Sequence, residues 1–476
     1  MDGCWARFKQ SECYCTRETK QYLKISGNEN IVYTHKGCVC NERLALANRH
    51  QVDDGTTFDD NIFESMHKHW PSNDVILDKI SRQDVVNHYT GSKRARKMRA
   101  MESLRTQELG NDDARVRMFL KDDKYTSEKI KAPRAIQYRS DRYAIELARY
   151  TMPFEEVEFK REVNGHRVIA KGLTDIEIAQ ELEKMWDLFS DPVAVLLDHS
   201  AFDAHWRKQH QSCYEEAITK SFPNDRKLKW LLRMQHTNSG VSKNGTKFQT
   251  KFTIMSGDQD TSLKGCTGNY AMIDTAFDGI YHEKLVNGDD SVVMIERKDV
   301  NKITAVLQRF RQMGQNTKCE IVDEFEHIEF CQCKPVLTFR GWRMVRDPTR
   351  VLSRIGWMVK KNIPRHIYPA YAKGVFLGEL ALNQGVPLLG VLADRIVKSL
   401  PVKTYKGQLD VHEQLRRNKL DASHAKYVEI PMYTRLSYEN AFGMSVSEQL
   451  EWESKEFWIT DGTEYVPHEL SWIVDS

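Results

Sequence analysis

The stretch Val193-Ala-Val-Leu-Leu-Asp-His-Ser-Ala-Phe-Asp203 joins an apolar run to an acidic end, and Val286-Asn-Gly-Asp-Asp-Ser-Val-Val293 repeats this combination farther along the chain. The first run is apolar up to Asp198, which is typical of a buried central strand. In the second stretch Asn287-Gly288 is a strong hairpin-turn signal with apolar residues on both sides. The pattern predicts that Asp198 and Asp289 lie at the polar ends of two strands.

Acidic side chains at the ends of separate strands are suited to binding divalent metal ions. Two ions about 3.5 to 4 Å apart stabilise the attacking and the leaving oxygen of a phosphoryl transfer. Mg²⁺ prefers such hard oxygen ligands, and so does Mn²⁺. We therefore expect Asp198 and Asp289 to bind Mg²⁺ or Mn²⁺, with Asp290 as a supporting carboxylate. A Gly-Asp-Asp triplet alone is also typical of a solvated turn, so the neighbouring motifs must decide between the two interpretations.

Two further segments accompany the acidic pair. Between the acids, Ser256-Gly257 predicts a flexible loop with exposed amides, suited to contacting a sugar-phosphate chain, and it leads into a predicted helix over 262–276. Ahead of the first acid, residues 121–142 space cations through an extended, proline-interrupted segment, as expected of a surface that neutralises a polyanion. An ordinary glycine-rich loop and a solvated charged face are the alternatives.

The order and spacing of these segments resemble the RNA-dependent RNA polymerases of positive-strand RNA viruses, and most of all the tombusvirus-like group. The matching residues are Pro133-Arg-Ala-Ile-Gln-Tyr-Arg-Ser140, Ser256-Gly-Asp-Gln-Asp-Thr-Ser-Leu263, the Gly-Asp-Asp triplet, Lys318 and Glu329-Phe-Cys-Gln332. The resemblance covers residues 115–340. It implies template-directed RNA synthesis by a two-metal mechanism, with RNA template and product, ribonucleoside triphosphates and other viral replication proteins as partners.

The resemblance also implies roles for individual residues. Asp198, Asp289 and Asp290 would be the catalytic metal ligands, and Lys318 would protonate the leaving pyrophosphate as a general acid. Asp203 would accept a hydrogen bond from the ribose 2′-hydroxyl, with Thr261 as its helper. The nucleotide would also be bound by Ser256, Gly257, Asn269, Arg134, Arg139 and Arg142, of which the arginines would pair with phosphate oxygens. The cations expected to bind RNA are Lys121, Lys124, Lys131, Arg94 and Lys97.

The motif that begins at Ser256 departs from the family pattern, which places an asparagine nine residues after the serine. Gly265 occupies that position here, and Asn269 follows four residues later. If residues 262–276 form a helix, Asn269 lies one turn along on the same face. Alternatively, residues 264–267 form a small insertion that loops out and restores the register.

Two other functions compete with RNA synthesis. A reverse transcriptase usually carries an aromatic-x-Asp-Asp motif in place of Asn287-Gly-Asp-Asp290 and a bulky residue in place of Asp203, so both positions favour ribonucleotides as substrates. A replication-associated RNA-binding protein with an inactive site would lack a metal ligand. None of the three aspartates is missing.

The predicted fold class is α+β: a right-hand polymerase with an antiparallel palm sheet flanked by helices and a mainly helical thumb. We assign 1–150 to an N-terminal extension and fingers, 151–210 and 251–340 to the palm, 211–250 to a fingers insertion, and 341–476 to the thumb with an acidic C-terminal tail. A capping-box signature at Thr174 predicts a helix directly before the Asp198 strand. The 476 residues suffice for three such lobes.

Positive charge is concentrated in one part of the chain. The whole sequence has 70 basic and 67 acidic residues, a net charge of +3, yet residues 91–142 hold 15 basic and only 8 acidic residues. Within this region Ser92-Lys-Arg-Ala-Arg-Lys-Met-Arg99 predicts a cationic helix that contacts RNA. This distribution is typical of a local channel for RNA or nucleotides.

Half of the ten cysteines lie within the first forty residues. Cys13, Cys15, Cys38 and Cys40 form two Cys-x-Cys pairs with His35 nearby, and they predict a structural Zn²⁺ site, although their spacing departs from the usual knuckle. Thiols without metal are the alternative. Because no secretory signal is present, we expect the thiols to be reduced.

The sequence has no run of the roughly 18 to 20 apolar residues that a membrane span needs. Positive-strand RNA viruses often replicate their genomes on membranes. The expected location is therefore the host cytoplasm, at membrane-bound replication complexes that the chain reaches through another protein or segment.

Overall fold

The structure, a computed structural model, describes residues 15–51, 56–72, 75–126, 131–360, 362–407, 409 and 411–462. The strands in these ranges are β1 (Thr16–Glu18), β2 (Lys20–Gln21), β3 (Leu23–Ile25), β4 (Val32–His35), β5 (Val116–Leu120), β6 (Tyr125–Thr126), β7 (Ala135–Tyr138), β8 (Glu162–Val163), β9 (His166–Arg167), β10 (Pro192–Ser200), β11 (Thr237–Ser242), β12 (Lys247–Lys251), β13 (His282–Asn287), β14 (Asp290–Glu296), β15 (Asn316–Val322), β16 (Cys333–Thr338), β17 (Gly341–Arg346), β18 (Trp357–Met358) and β19 (Phe457–Ile459).

The helices in the same ranges are α1 (Val39–His50), α2 (Asp60–His69), α3 (Arg82–Asn87), α4 (Gly91–Thr106), α5 (Asp141–Phe159), α6 (Asp175–Trp186), α7 (Lys208–Ser221), α8 (Arg226–Arg233), α9 (Thr261–Ala276), α10 (Ile303–Gln312), α11 (Pro348–Leu352), α12 (Tyr368–Leu382), α13 (Leu389–Ser399), α14 (His412–Arg417), α15 (Met432–Phe442) and α16 (Val446–Ser454). The predicted mixture of helices and strands is confirmed.

A four-stranded antiparallel sheet in the order β13-β14-β10-β15 forms the centre of the fold, and we call it the central sheet. β10 lies inside this sheet because its apolar run is buried on both faces. Val193, Val195 and Leu197 pack into the core formed with α9 and α10. Ala194 packs on the opposite side, into the core formed with α6 and β17.

Helix α6 crosses one face of the central sheet. Its first turn is closed by the predicted capping box, in which the Glu177 amide donates to Thr174 Oγ1 at 3.2 Å and the Thr174 amide donates to Glu177 Oε2 at 2.7 Å. Such a reciprocal cap satisfies two amides that a helix start otherwise leaves without partners. The start of α6 is therefore well defined, and the chain passes from its other end into β10.

A second sheet, β12-β11-β5-β7, lies beside the central sheet. The hairpin of β11 and β12 turns at Asn244-Gly245, where Gly245 has a φ of +84°. Strand β7, at the edge of this sheet, is antiparallel to β5. The loop that begins at Ser256 contacts β7, so this sheet is linked to the functional region of the chain.

The C-terminal region is mainly helical, as predicted, and α12 and α13 build a separate core. Strands from the beginning of the chain complete it, because β2 pairs with β18 and β3 pairs with β19. Residues Tyr22 and Leu23 are buried in the same core. The N-terminal residues therefore contact this C-terminal core as well as the rest of 1–150, where β4 pairs with β6 and α1 packs on β5. The predicted boundary at residue 150 falls inside α5.

Helix α16 starts at a capping box, in which Ser445 caps the helix and Glu448 completes the reciprocal bond. Of the acidic tail, residues 463–476 lie outside the described residues. Among the helices that the structure describes, none has the length and apolar character required to span a bilayer.

Three histidines are buried in the fold without charge. Burial lowers the pKa of His50 to about 3, of His199 to about 4 and of His210 to about 3, against an ordinary value of 6.5. Unfolding exposes all three imidazoles to water, where they take up protons at a higher pH. Their contribution to stability is therefore complete above pH 6.5 and is lost as the pH falls toward 4.

Acidification from pH 7 to 5 is expected to destabilise the chain. Near pH 5.5 each of the three histidines costs about 1.4 kcal/mol per pH unit, while Glu155 and Asp290, whose pKa values are raised to about 8 and about 6, bind protons in the folded chain and offset more than half of that loss. The free energy of unfolding should therefore fall by about 1.4 kcal/mol per unit near pH 5.5. Urea unfolding between pH 7 and 5 measures this slope. His210→Phe should remove most of it, whereas His424→Asn, at a side chain that is 85% exposed, should not change it. A free energy independent of pH over this range would contradict the expectation.

Candidate active site

The Gly-Asp-Asp triplet forms the tight turn between β13 and β14. Asn287 pairs with Asp290, so Gly288 and Asp289 are the two turn residues, and Gly288 has a φ of +73°. A positive φ at the first turn position alone is the geometry of a type II′ hairpin. The prediction of a hairpin is confirmed, but the turn lies one residue later than expected, because Asp290 is already the first residue of β14.

Strand register brings Asp198 to this turn. β10 pairs with β14 up to Leu197 and Ser291, and one further step of that register sets Asp198 opposite Asp290. On the other side, Asp198 pairs with Lys318 of β15. Residues opposite one another on adjacent strands share a face of the sheet. The sequence had suggested that Asp198 lies at the end of the strand. β10 instead continues to Ser200, so Asp198 lies within it.

These side chains open into a cleft of about 1050 Å³. Its acidic lining consists of Asp123, Asp198, Asp290, Glu320 and Glu329. Its basic lining consists of Lys124, Lys131, Arg134, Lys318, Arg350 and Arg354. The cleft thus offers both carboxylate oxygens for cations and cationic groups for phosphates.

The electrostatics of Asp290 show that the acids converge. Burial, followed by the charge of Asp289, raises the pKa of the Asp290 carboxyl to about 6, and Asp198 and Glu329 add to the shift. Mutual repulsion of this kind is expected where several carboxylates form a binding site for a cation. Asp198, Asp289 and Asp290 are therefore within electrostatic reach of one another at the end of the central sheet.

Helix α9 packs against the Gly-Asp-Asp turn and supports it. It is continuous over Thr261–Ala276, so the alternative in which residues 264–267 loop out is wrong. The fully buried Asn269 amide donates to the carbonyls of Gly288 at 3.0 Å and Asp289 at 3.3 Å. Because the Asn269 amide is used in these bonds, the side chain positions the turn and does not face a nucleotide. This corrects the prediction that Asn269 binds the nucleotide.

A buried histidine completes this support. With its pKa lowered to about 4, His199 is neutral, and its Nε2–H donates to Asn269 Oδ1 at 3.0 Å. Its Nδ1 then accepts a bond from the Thr317 hydroxyl at 2.8 Å. The chain of bonds connects β15, β10, α9 and the turn that carries Asp289. It fixes the relative positions of the acids.

Gly265 lies where α9 comes closest to the turn. A Cβ at this position would stand 3.2 Å from the Cα of Gly288, tighter than an ordinary contact. The next residue, Cys266, accepts a hydrogen bond from the Gly288 amide at 3.2 Å. Gly265 and Asn269, one turn apart, therefore contact the same hairpin, as the helical interpretation of the sequence predicts.

Asp203 lies just after β10 and forms an ion pair with Arg49 of α1. Burial raises the pKa of the Asp203 carboxyl, Arg49 opposes the shift, and Asp289 adds to it. The dependence on Asp289 places Asp203 near the metal-binding candidates. Sequence analysis missed Arg49, because no local pattern connects it with a residue 154 positions away.

The loop that begins at Ser256 differs from its prediction. The Gly257 amide donates to the Gln137 carbonyl at 2.6 Å, and Ser256 Oγ accepts from the Gln137 amide at 3.2 Å. The Gly257 amide is therefore bonded to β7 and is not available to a sugar-phosphate chain. Thr261 donates its hydroxyl to the Met255 carbonyl at 2.6 Å, so it holds the loop, and its role as a helper of Asp203 stays a prediction.

The three candidate arginines occupy different surroundings. Arg139 is buried and forms an ion pair with Asp258, so it is not available to a nucleotide. Arg142 donates to Asp113 at 3.0 Å and to three further oxygens on the protein, which likewise excludes it from the cleft. Arg134 pairs with Asp123 at 2.7 Å, keeps 61% of its side chain exposed and lines the cleft. Only Arg134 of the three can reach a phosphate there.

The cations expected to bind RNA also divide into groups. Lys124 and Lys131 line the cleft, and Lys121 is exposed beside it, 3.4 Å from Asp123. Arg94 is exposed on α4, which confirms the predicted helix. Lys97 is buried and pairs with Asp141 at 2.9 Å, so it is a structural residue and the prediction of RNA contact is wrong for it.

Arg350 and Arg354 line the cleft, although sequence analysis did not select them. Arg350 lies in α11 and Arg354 follows it by four positions. This spacing puts two cations on the same side of a helical turn, so a local signal was present. The cysteines Cys15, Cys38 and Cys40 lie together elsewhere, and Cys13 is outside the described residues.

Comparison with known proteins agrees with this geometry. The family model described as viral RNA dependent RNA polymerase matches residues 7–457. The RNA-directed RNA polymerase of Tobacco necrosis virus (strain A) is 32% identical over 385 residues, which cover 77% of this chain and 52% of that protein. That of Tomato bushy stunt virus (strain Cherry) is 31% identical over 421 residues, covering 84% and 50%. That of Carnation mottle virus is 30% identical over 400 residues, covering 79% and 51%.

The chain spans about half the length of the curated relatives it matches. The match with the family model nevertheless extends over nearly all of it and contains every motif on which the resemblance was based. The resemblance seen in the sequence is confirmed: the chain belongs to the family of viral RNA-dependent RNA polymerases.

Proposed function

We propose that this chain is an RNA-directed RNA polymerase that replicates a positive-strand viral RNA genome. It extends an RNA 3′-hydroxyl with nucleoside monophosphates and releases pyrophosphate. The observation that supports this most strongly is the convergence of Asp198, Asp289 and Asp290 at the end of the central sheet, above a cleft with a basic wall. In this proposal the central sheet is the palm, the region with β5, β7, β11 and β12 belongs to the fingers, and α12 to α16 form the thumb.

Mg²⁺ or Mn²⁺ would be held by Asp198, Asp289 and Asp290. The fit rests on the donor set, since all three offer hard carboxylate oxygens, and on the raised pKa of Asp290, which a divalent cation would reverse. When bound, the metal lowers the pKa of the attacking hydroxyl and neutralises charge on the phosphoryl group. Asn269 and His199 keep the two acidic strand ends in place for that purpose.

The basic wall of the cleft would hold the triphosphate and the RNA. Arg134 can present its guanidinium to phosphate oxygens, and Lys124 and Lys131 add positive charge beside it. Lys318 stands opposite Asp198 and is exposed, so its ammonium group can donate a proton to the departing pyrophosphate. RNA template, RNA product and ribonucleoside triphosphates are the proposed partners, and membrane-bound replication complexes in the host cytoplasm are the proposed location.

Replacing Asp203 by asparagine is expected to weaken the selection of ribose over deoxyribose about tenfold. A hydrogen bond to a charged group contributes roughly 1.5 to 3 kcal/mol, and the amide retains part of it. Single-nucleotide incorporation with ATP and with dATP gives the ratio of kcat/KM values. The matched control Asp191→Asn changes an exposed acid directly before β10, at the end of the strand away from Asp203, and should leave the ratio unaltered. An unchanged ratio in Asp203→Asn would remove this residue from sugar selection.

One assay separates the proposal from its rivals. Purified chain is incubated with an RNA template, four ribonucleotides and Mg²⁺, with and without a primer. A template-length RNA product supports the proposal. Incorporation of deoxyribonucleotides in preference to ribonucleotides would favour a reverse transcriptase, and RNA binding without any product would favour an inactive RNA-binding protein.

A further inference from the structure

Three thiols that the polymerase reaction does not use lie together near the beginning of the chain. Cys15 directly precedes β1, Cys38 is the N-cap residue of α1, and Cys40 lies in the first turn of that helix. Their sulfur atoms are all within 4.8 Å of one another. Each side chain is half-buried, so the group is enclosed but remains accessible from solvent.

A buried amide holds the two cysteine-bearing segments together. Asn41 is fully buried, and its Nδ2 donates to the Cys15 carbonyl at 2.7 Å and to the Lys36 carbonyl at 2.9 Å. The Lys36 amide donates to the Cys15 carbonyl at 2.8 Å, and the Cys38 amide to the Lys36 carbonyl at 3.0 Å. The backbone on both sides of the thiols is therefore fixed before any ligand binds.

The distances suit a soft divalent cation. Zinc binds thiolates at about 2.3 Å in a tetrahedron, which separates neighbouring sulfur atoms by about 3.8 Å. Sulfur atoms within 4.8 Å need to move inward by only a small amount. Three thiols cannot all pair as disulfides within the group, because each disulfide consumes two.

We propose that Cys15, Cys38 and Cys40 bind a structural Zn²⁺ that fastens β1 to the start of α1. His35 is not a ligand, because its Nε2 donates to the Lys131 carbonyl at 2.9 Å and its ring packs against Tyr33 and Tyr125. Zinc requires a fourth donor. A solvent water molecule supplies it, because the half-buried thiols remain accessible from solvent.

The position of the site connects it with the active-site region. The Glu42 carboxylate of α1 accepts hydrogen bonds from Ser242 at 2.6 Å and Asn244 at 2.8 Å, which attaches the helix to the β11–β12 hairpin. Near the other end of α1, Arg49 forms the ion pair with Asp203. A metal at the N-terminus of α1 therefore stabilises the helix that positions the proposed sugar-selecting carboxylate. The metal site itself does not depend on the proposed function.

Metal analysis of the full chain tests the site directly. Chain purified under reducing conditions should contain one zinc per molecule by plasma mass spectrometry. Cobalt(II) added to the apoprotein should produce thiolate-to-cobalt charge-transfer absorption, which carboxylate and imidazole sites do not give. Chelation should lower the melting temperature by several degrees, and added zinc should restore it.

Variants identify the ligands. Cys15→Ser, Cys38→Ser and Cys40→Ser should each lose the zinc and the cobalt absorption, whereas Cys213→Ala, at a buried cysteine of α7, should keep both. Cobalt titration remains informative if a variant folds poorly, because it can be performed on the unaltered chain. Less than about 0.1 zinc per molecule together with no charge-transfer band in the reduced chain would overturn the proposal, as would a disulfide within the group.

Discussion

Asp289→Asn is expected to reduce RNA synthesis by roughly 10⁴-fold or more, equivalent to about 5.5 kcal/mol of lost transition-state stabilisation. The substitution removes a charged oxygen from the turn that would bind the catalytic metal, and the developing charge on the phosphoryl group then loses its counter-charge. Asparagine has nearly the same shape, so the turn and its bonds to Asn269 should survive. Primer extension under single-turnover conditions measures the loss.

Folding and catalysis can be separated in this experiment. The Asp289 side chain is exposed at a turn, so its replacement should not lower the melting temperature. A small increase is expected, because the charge that raises the pKa of Asp290 disappears. Asp278→Asn, at an exposed acid between α9 and β13, is the matched control and should retain full activity. Wild-type activity in Asp289→Asn would refute the assignment of the metal site.

Gly265→Val is expected to reduce RNA synthesis by at least about 100-fold while the chain remains folded. The new Cβ would stand 3.2 Å from Gly288, and the branched side chain adds two methyl groups at the same contact. The turn must then move away from α9, and a displacement of about 1 Å at reacting groups costs on the order of 10²-fold. Single-nucleotide incorporation and thermal unfolding, measured on the same preparation, test both parts of the expectation.

The control for this prediction is Gly110→Val, because a Cβ at Gly110 meets no atom within 4 Å. That variant should be as active as the wild type. Valine has a better helix propensity than glycine, so α9 itself should not be destabilised by the change at Gly265. If Gly265→Val retains full activity, the close approach of α9 does not set the position of Asp289.

The parts of the fold that the sequence predicts are those that local patterns determine. The apolar run before Asp198 predicts a central strand because burial on both faces leaves no polar position in it. The capping box at Thr174 and the hairpin signal at Asn287-Gly288 are equally local, and both structures are present. The predicted positions of these elements differ from the observed ones by only one or two residues.

The charged residues show where local patterns fail. Arg139 and Lys97 belong to a segment rich in cations, yet each is buried against a partner carboxylate. Asp258 lies 119 positions from Arg139, so a count of charges along the chain cannot reveal the ion pair. Whether a cation is solvated, bonded within the protein or available to a phosphate depends on tertiary contacts. Arg134 was selected on the same grounds as Arg139, and only its surroundings distinguish it.

Asn269 illustrates a different reason for failure. Its position on the face of Gly265 follows from helical periodicity and is present in the structure. Its role depends on the distance between α9 and the hairpin. This distance cannot be predicted from the sequence of either element. Because the two elements pack closely, the asparagine bonds to the turn backbone and supports the acids from behind.

The pairing of β3 with β19 has a consequence for how the chain is made. More than 400 positions separate Ile25 from Phe457. At a synthesis rate of roughly 5 to 20 residues per second, β3 is synthesised on the order of 20 to 90 s before its partner strand β19. Throughout that interval Tyr22, Leu23 and Ile25 are exposed to other proteins in the cell. Newborn chains should therefore need chaperones until translation has passed the last strand.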